Sequence, residues 1–233
     1  MLEVRGLAAG YAGSEVLHGV DLTVGEGEGV VVLGPNGHGK TTLLRAITGL
    51  VSVRAGQVIL AGQDITRWRP DVIAAGGLVH IPQGDLLFPD MTVRENLLMG
   101  AYSGPTWAER RTRLGRVYRL FPWLEERAGQ LARTLSGGER RMLALGRGLM
   151  ARARIMLIDE PSLGLAPVVT EQIYANIRTI KEGGMSLLLA DENANHVAGL
   201  ADRVYLLEAG LLVREGPAGE LLQDEALLES YLG

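Results

Sequence analysis

Gly34-Pro35-Asn36-Gly37-His38-Gly39-Lys40-Thr41-Thr42 reads G-x-x-x-x-G-K-T, a spacing suited to holding phosphate. Glycines let successive backbone N–H groups converge on an anion, and a helix that starts at the end of the loop aims its positive pole at the same point. Lys40 would then reach the β- and γ-phosphates as a point charge, and the Thr41 hydroxyl would ligate Mg²⁺. A second cluster, Ile155-Met156-Leu157-Ile158-Asp159-Glu160, is four apolar residues ending in two carboxylates. A buried strand cannot solvate charge, so both acids belong at its C-terminal end, where open parallel sheets bind ligands. There Asp159 would hold Mg²⁺, directly or through water, and Glu160 would orient and deprotonate an attacking water. A third cluster, Leu135-Ser136-Gly137-Gly138-Glu139, opens a helical run over residues 140–150. Serine and paired glycines at a helix start make a second anion site or, taken alone, an N-cap on a flexible turn.

Residues 29–33 are a short apolar run that reads as a buried strand, and residues 43–47 have helical composition. Strand, glycine loop and helix are the context the first cluster requires. Upstream, residues 2–7 alternate apolar and polar as an amphipathic edge strand would, Tyr11 falls in a turn over 10–13, and residues 17–24 alternate again. Residues 56–60 and 78–81 read as strands, with a short helix over 70–75 between them. The character then changes. Residues 92–150 are rich in Leu, Arg, Glu and Ala, Thr92 and Glu95 fit a capping box, and Leu114, Val117, Tyr118 and Phe121 recur at helical spacing until Pro122. A mostly helical insertion over about residues 86–153 follows from this. Strand character returns at 155–159; a helix over 168–181, a buried strand over 185–190, a hairpin around Ala209-Gly210 and a helical tail over 217–232 complete the reading. Strands alternating with helices predict an α/β fold with a mainly parallel sheet covered on both faces, one domain of 233 residues carrying a subdomain.

Bulk properties narrow the chemistry. The net charge of −4 gives no electrostatic case for nucleic acid, and the local basic run over 110–119 reads as a solvated helix face. The chain has no cysteine, which rules out disulfides, thiolate zinc sites and cysteine nucleophiles. No signal-peptide pattern is visible, and no apolar run approaches the roughly 20 residues of a membrane helix, so a membrane role would work through a partner.

Over essentially its whole length the sequence resembles the nucleotide-binding subunits of ABC transporters. Tyr11 stands at the place of the adenine-stacking aromatic, residues 34–42 match Walker A, Gln83 the Q-loop, residues 135–139 the signature motif, 155–160 Walker B and 162–165 the D-loop. The resemblance implies an ABC-type P-loop ATPase with an N-terminal antiparallel β region. Its ligands would be ATP and Mg²⁺. It implies Lys40, Gln83 and Glu160 as catalytic residues and Thr41, Gln83 and Asp159 around the metal. ATP would lie between Tyr11 and Gly34, Pro35, Asn36, Gly37, His38, Gly39, Lys40, Thr41 and Thr42 of one copy and Ser136, Gly137, Gly138 and Glu139 of another. Implied partners are a second ABC ATPase subunit, the same or different, transmembrane permease subunits at the cytoplasmic face, and indirectly a periplasmic or extracellular solute-binding protein. Residues 88–97, 141–147 and 159–167 resemble the ATPases of branched-chain amino acid importers; relatives serving urea and short-amide import, or lipid and polysaccharide export, share the same core motifs. Soluble ABC-type ATPases of ribosomes or DNA usually carry two cassettes or long insertions, and a phosphate-loop kinase needs no signature motif.

The pattern departs from the family at Glu192, which aligns with the switch-loop histidine; the branched-chain subgroup often has glutamine there. An ionised carboxylate repels a γ-phosphate, so Glu192 would be protonated, turned away, or neutralised by Lys or Arg, while His196 four residues on would share its helical face. His38 would turn its ring to solvent or to the dimer partner, and Tyr11 either stacks on adenine or packs as an ordinary loop residue. The apolar loop Leu86-Leu87-Phe88-Pro89 is a docking patch for a transmembrane subunit if exposed and core if buried, with Asp85 and Leu87 as the positions at which substitution should uncouple transport.

Overall fold

The alternating N-terminal residues fold as a hairpin in which β1 (Leu2–Tyr11) pairs antiparallel with β2 (Ser14–Val24) around the turn Ala12-Gly13. The structure, a computed structural model, describes residues 1–102 and 104–224. Along the chain follow β3 (Gly29–Leu33), α1 (Lys40–Ile47), β4 (Val53–Leu60), β5 (Gln63–Asp64), α2 (Pro70–Ala75) and β6 (Leu78–Ile81). A helical stretch comes next: α3 (Val93–Met99), α4 (Gly104–Ala108), α5 (Arg110–Leu120), α6 (Pro122–Glu126) and α7 (Gly137–Leu149). Then come β7 (Ile155–Asp159), α8 (Pro167–Glu182), β8 (Ser186–Asp191), α9 (Ala194–Val197), β9 (Arg203–Glu208), β10 (Leu211–Pro217) and α10 (Ala218–Leu221). The helix expected over 217–232 spans Ala218–Leu221 within the described residues, and residues 225–233 lie outside them.

Two sheets result, one antiparallel in the order β2-β1-β4-β5, the other in the order β10-β9-β3-β8-β7-β6 and parallel except for the β9–β10 hairpin. β1 is bonded on both sides, to β2 and to β4, so it is an interior strand and not the edge strand its alternation suggested. Alternation reports one solvated face; it does not report a free edge.

The parallel strands are apolar throughout because both their faces are covered. Val30 and Val32, Ile155 and Leu157, Leu188 and Ala190 point toward α1 and the N-terminal sheet, while Val31, Leu33, Met156, Ile158, Leu187 and Leu189 point toward α7 and α8. The period of two along each strand thus divides one apolar run between two cores. The helical stretch rests on the second core through Leu97, Leu114, Val117, Phe121 and Leu124. α3 opens on the capping box, with Thr92 and Glu95 bonded reciprocally, and Pro122 ends one helix and starts the next. The basic run is α5, with Arg111, Arg116 and Arg119 exposed and Arg113 paired to Glu109 at 2.8 Å, a solvated face as expected. In the β9–β10 turn Ala209 and Gly210 have φ of +45° and +79°, the left-handed pair that a two-residue hairpin of this twist requires.

His80 on β6 carries a pH dependence of stability. Its Nε2 is buried with no partner among the described residues, and burial, aided by Arg45, pushes its pKa from 6.5 down to about 4. Between those values the unfolded chain binds a proton that the folded chain refuses, so stability is present above pH 6.5 and is lost as pH falls toward 4. Chemical denaturation at pH 7 and pH 5 should show a drop of about 2 kcal/mol that His80→Phe removes.

Candidate functional site

Parallel β3, β6, β7 and β8 present their C-terminal ends along one sheet edge, and the residues just past those ends form the site. Beyond β3 the chain turns at Gly34, where an added Cβ would lie 2.3 Å from the Leu207 carbonyl oxygen, so only glycine fits. Gly39 takes φ of +110° and sends the chain into α1 at Lys40. Lys40 is 3% exposed and folds back over the loop, its Nζ donating to the carbonyls of Gly34 at 2.7 Å and Pro35 at 3.1 Å and pairing with Glu160 Oε1 at 3.1 Å. Thr41 Oγ1 donates to Asp159 Oδ1 at 3.1 Å.

Asp159, the last residue of β7, is fully buried, and its second oxygen has no partner among the described residues. Burial raises its pKa, the Thr41 hydrogen bond opposing only in part. Glu160 follows with φ of +42°, its N–H donating to the Ala190 carbonyl at 2.9 Å and its Oε2 accepting from Gln83 Nε2 at 3.3 Å. Lys40, Thr41, Gln83, Asp159 and Glu160 therefore converge on one point, although 77 residues separate Gln83 from Glu160. Ser136 caps α7 in a second capping box, its Oγ accepting from Glu139 N–H at 3.4 Å while the Glu139 carboxylate accepts from Ser136 N–H at 2.8 Å. Ser136, Gly138 and Glu139 open on a separate hollow beside Trp123, Arg127 and Val169. Tyr11 ends β1 beside α1, half-exposed, its hydroxyl accepting from Arg45 at 3.3 Å.

Two side chains take hydrogen-bond partners that local spacing did not specify. The His38 ring is half-exposed and bonds within its own chain: Nδ1 accepts from Ala209 N–H at 3.2 Å and the His38 carbonyl accepts from Gly210 N–H at 3.0 Å, so the phosphate loop is pinned to the β9–β10 turn. Glu192 has no Lys or Arg partner among the described residues; its Oε2 accepts from the Asn36 side-chain amide at 2.5 Å. It also precedes α9, so it shares no helical face with His196.

Sequence reasoning gave no role to two arginines of α7. Arg141, 3% exposed, donates to the Pro82 carbonyl at 2.9 Å and the Glu160 carbonyl at 3.0 Å, and its Nε lies 3.2 Å from Asp85 Oδ1, an ion pair not aligned as a hydrogen bond. Arg147 donates to the carbonyls of Leu86 at 2.8 Å and Asp85 at 3.0 Å. The signal for Arg141 was its place on the buried stripe with Gly138, Leu145 and Gly148, where a charge needs internal partners.

A strand ending in an acid pair, a glycine loop opening a helix and a capped serine–glycine turn thus stand on one scaffold, and residues 17–163 match the family model described as ABC transporter. This chain belongs to the ABC transporter family. The cassette is 36% identical to the high-affinity branched-chain amino acid transport ATP-binding protein BraG of Pseudomonas aeruginosa, over the whole of both chains. It is 32% identical to the lipopolysaccharide export system ATP-binding protein LptB of Escherichia coli, over all of this chain and 97% of LptB. A solved dimeric ATP-binding cassette in a post-hydrolysis state, with ADP and Pi bound, matches it with a TM-score of 0.79 at 26% identity, covering 94% of this chain and 99% of that one. The cassette is the ATP-hydrolysing subunit of an ABC transporter, a class whose cassettes dimerise and pair with membrane subunits. No helix among its described residues is long and apolar enough to cross a membrane.

Proposed function

We propose that Glu160 is the general base for ATP hydrolysis and that the cassette powers uptake of branched-chain amino acids. The observation that carries the first part is the convergence of Lys40, Thr41, Gln83, Asp159 and Glu160 past the ends of parallel strands. The orphaned Asp159 oxygen beside the Thr41 hydroxyl fits a hard cation: it is a buried acceptor that a divalent ion would satisfy. Asp159 and Thr41, with Gln83 nearby, would hold Mg²⁺, which would supply charge neutralisation to the phosphates. Water attacks the γ-phosphorus, a new P–O bond forms as the β–γ bridge bond breaks, and Glu160 takes the proton. The Gln83 amide on Glu160 Oε2 leaves Oε1 to face the water once the Lys40 ammonium exchanges that oxygen for phosphate. Backbone N–H groups of residues 34–42 cradle the phosphates, and the half-exposed Tyr11 ring offers a face to adenine. Ser136, Gly137, Gly138 and Glu139 of a second cassette close the other side, at the N-terminus of its 13-residue α7.

The cargo reading is supported by the greater identity to BraG than to LptB, 36% against 32%. In the complex reconstituted with its permease and solute receptor, leucine, isoleucine or valine should stimulate hydrolysis; stimulation by a lipid or polysaccharide instead would assign the cassette to export.

For permease docking, exposure selects within the apolar loop. Leu86 is 67% and Phe88 42% exposed at the rim of a cleft that also includes Leu50, Ile73, Met99 and Arg147. Leu87 is half-buried against the helical core and Asp85 is half-buried beside Arg141, so Leu86 and Phe88 are the more accessible positions at which substitution should uncouple transport. Leu86→Ser combined with Phe88→Ala should cut permease-stimulated hydrolysis at least tenfold while the isolated cassette keeps its rate within about twofold. Full stimulation of that variant would remove the cleft as the docking site.

A further inference from the structure

We infer that the Tyr174 hydroxyl is a positioning group for hydrolysis, tying the loop after Glu160 to the loop after β8. Tyr174 lies on α8, 3% exposed, and its hydroxyl donates to Asp191 Oδ2. Asp191 ends β8, equally buried, and its other oxygen accepts from the N–H groups of Glu192 at 2.8 Å and Asn193 at 3.0 Å. One carboxylate therefore shapes the whole turn from which Glu192 reaches Asn36 of the phosphate loop. The Asp191 carbonyl also accepts from Gly34 N–H at 3.3 Å.

On its other side the Tyr174 hydroxyl lies 3.4 Å from Ser162 Oγ, two residues past Glu160. A hydroxyl has one proton to donate; since Tyr174 gives it to Asp191, it accepts from Ser162, and the chain of bonds runs Ser162 to Tyr174 to Asp191. His196 completes the cluster, its ring 5.0 Å from the Tyr174 ring and its Nδ1 3.5 Å from Ser162 Oγ. Phenylalanine would fill the same packing space, so the ring alone does not account for a buried hydroxyl at this position. What the hydroxyl adds is a fixed distance between two loops that flank the same attacking water, one carrying Glu160 and the other touching the phosphate loop.

This inference rests on Glu160 as the base, not on the cargo. In the full chain, Tyr174→Phe should lower kcat for ATP hydrolysis about tenfold with the ATP KM within about twofold, as expected for one hydrogen bond to a charged group. Ser162→Ala should lower kcat about threefold, and the double variant should be no slower than Tyr174→Phe, because the chain of bonds is already cut. A packing role predicts that phenylalanine restores full activity. Wild-type kcat in Tyr174→Phe, or a loss confined to KM, would overturn the inference. If Tyr174→Phe does not fold, Ser162→Ala decides on the same two readouts, an unchanged kcat overturning it. Glu160→Gln measured alongside separates the two claims: hydrolysis surviving in that variant strikes the choice of base, whereas full activity in Tyr174→Phe beside an inactive Glu160→Gln strikes only the positioning role.

Discussion

Glu160→Gln is expected to lower the maximal rate of ATP hydrolysis on the order of 10³-fold, with ATP binding retained. The amide keeps the size of the side chain and can still accept from Gln83, but it cannot take a proton from water. It also removes the negative partner of the Lys40 ammonium, leaving that charge free for phosphate oxygens, so nucleotide affinity should hold or rise. Glu192→Gln is the companion measurement. Among the described residues the Glu192 side chain accepts a hydrogen bond from Asn36, and a glutamine carbonyl accepts it as well, so hydrolysis should stay within about threefold of wild type. Steady-state hydrolysis and nucleotide binding on both variants check this pair. Equal loss in the two would mean that the switch-loop acid shares the proton-transfer step and that Glu160 alone does not carry it.

What could be read from the sequence was what local spacing encodes. The phosphate loop was legible because anion binding needs glycines, lysine and threonine at fixed intervals along one stretch of backbone, and Gly39 at φ of +110° occupies a conformation that favours glycine. β3, β7 and β8 were legible because strands buried on both faces become continuous apolar runs. Contacts between distant segments left no such trace. The His38 ring meets Ala209, 171 residues away, through the register of β3 on β9, which no pattern within either strand specifies. The loop after Gln83 was legible as apolar but not as oriented. Asp85 and Leu86 take φ of +63° and +43°, so neither helical nor strand periodicity tells that Leu87 turns in while Leu86 and Phe88 turn out. Tyr174 read as an ordinary member of a helix, and Asp191 lay one residue past the strand read over 185–190, until α8 was packed beside β8.

Arg141→Met tests how much of the site depends on a side chain that touches no reacting atom. Methionine fills most of the space but donates nothing, so the Pro82 and Glu160 carbonyls lose their guanidinium donors and Asp85 loses its nearest positive charge. Removing one member of a buried ion pair typically costs about 3–5 kcal/mol, and this variant should unfold earlier by an amount in that range. The pH dependence identifies the cause. Burial already raises the Asp85 pKa, with Arg141 first among the cations opposing it, so without Arg141 the folded state takes up a proton there more readily than the unfolded chain. Stability of the variant relative to wild type should therefore recover as pH falls, and Asp85→Asn in the same background should recover part of it at pH 7. Hydrolysis should fall by roughly 10²-fold at temperatures where the variant is folded, because the Glu160 backbone at φ of +42° is held in part by this donor and the Gln83 loop by its neighbour. A variant that melts early but hydrolyses ATP at the wild-type rate while folded would make Arg141 a strut of the helical stretch, and the backbone of Glu160 would then be set by its bonds to Ala190 and Leu163.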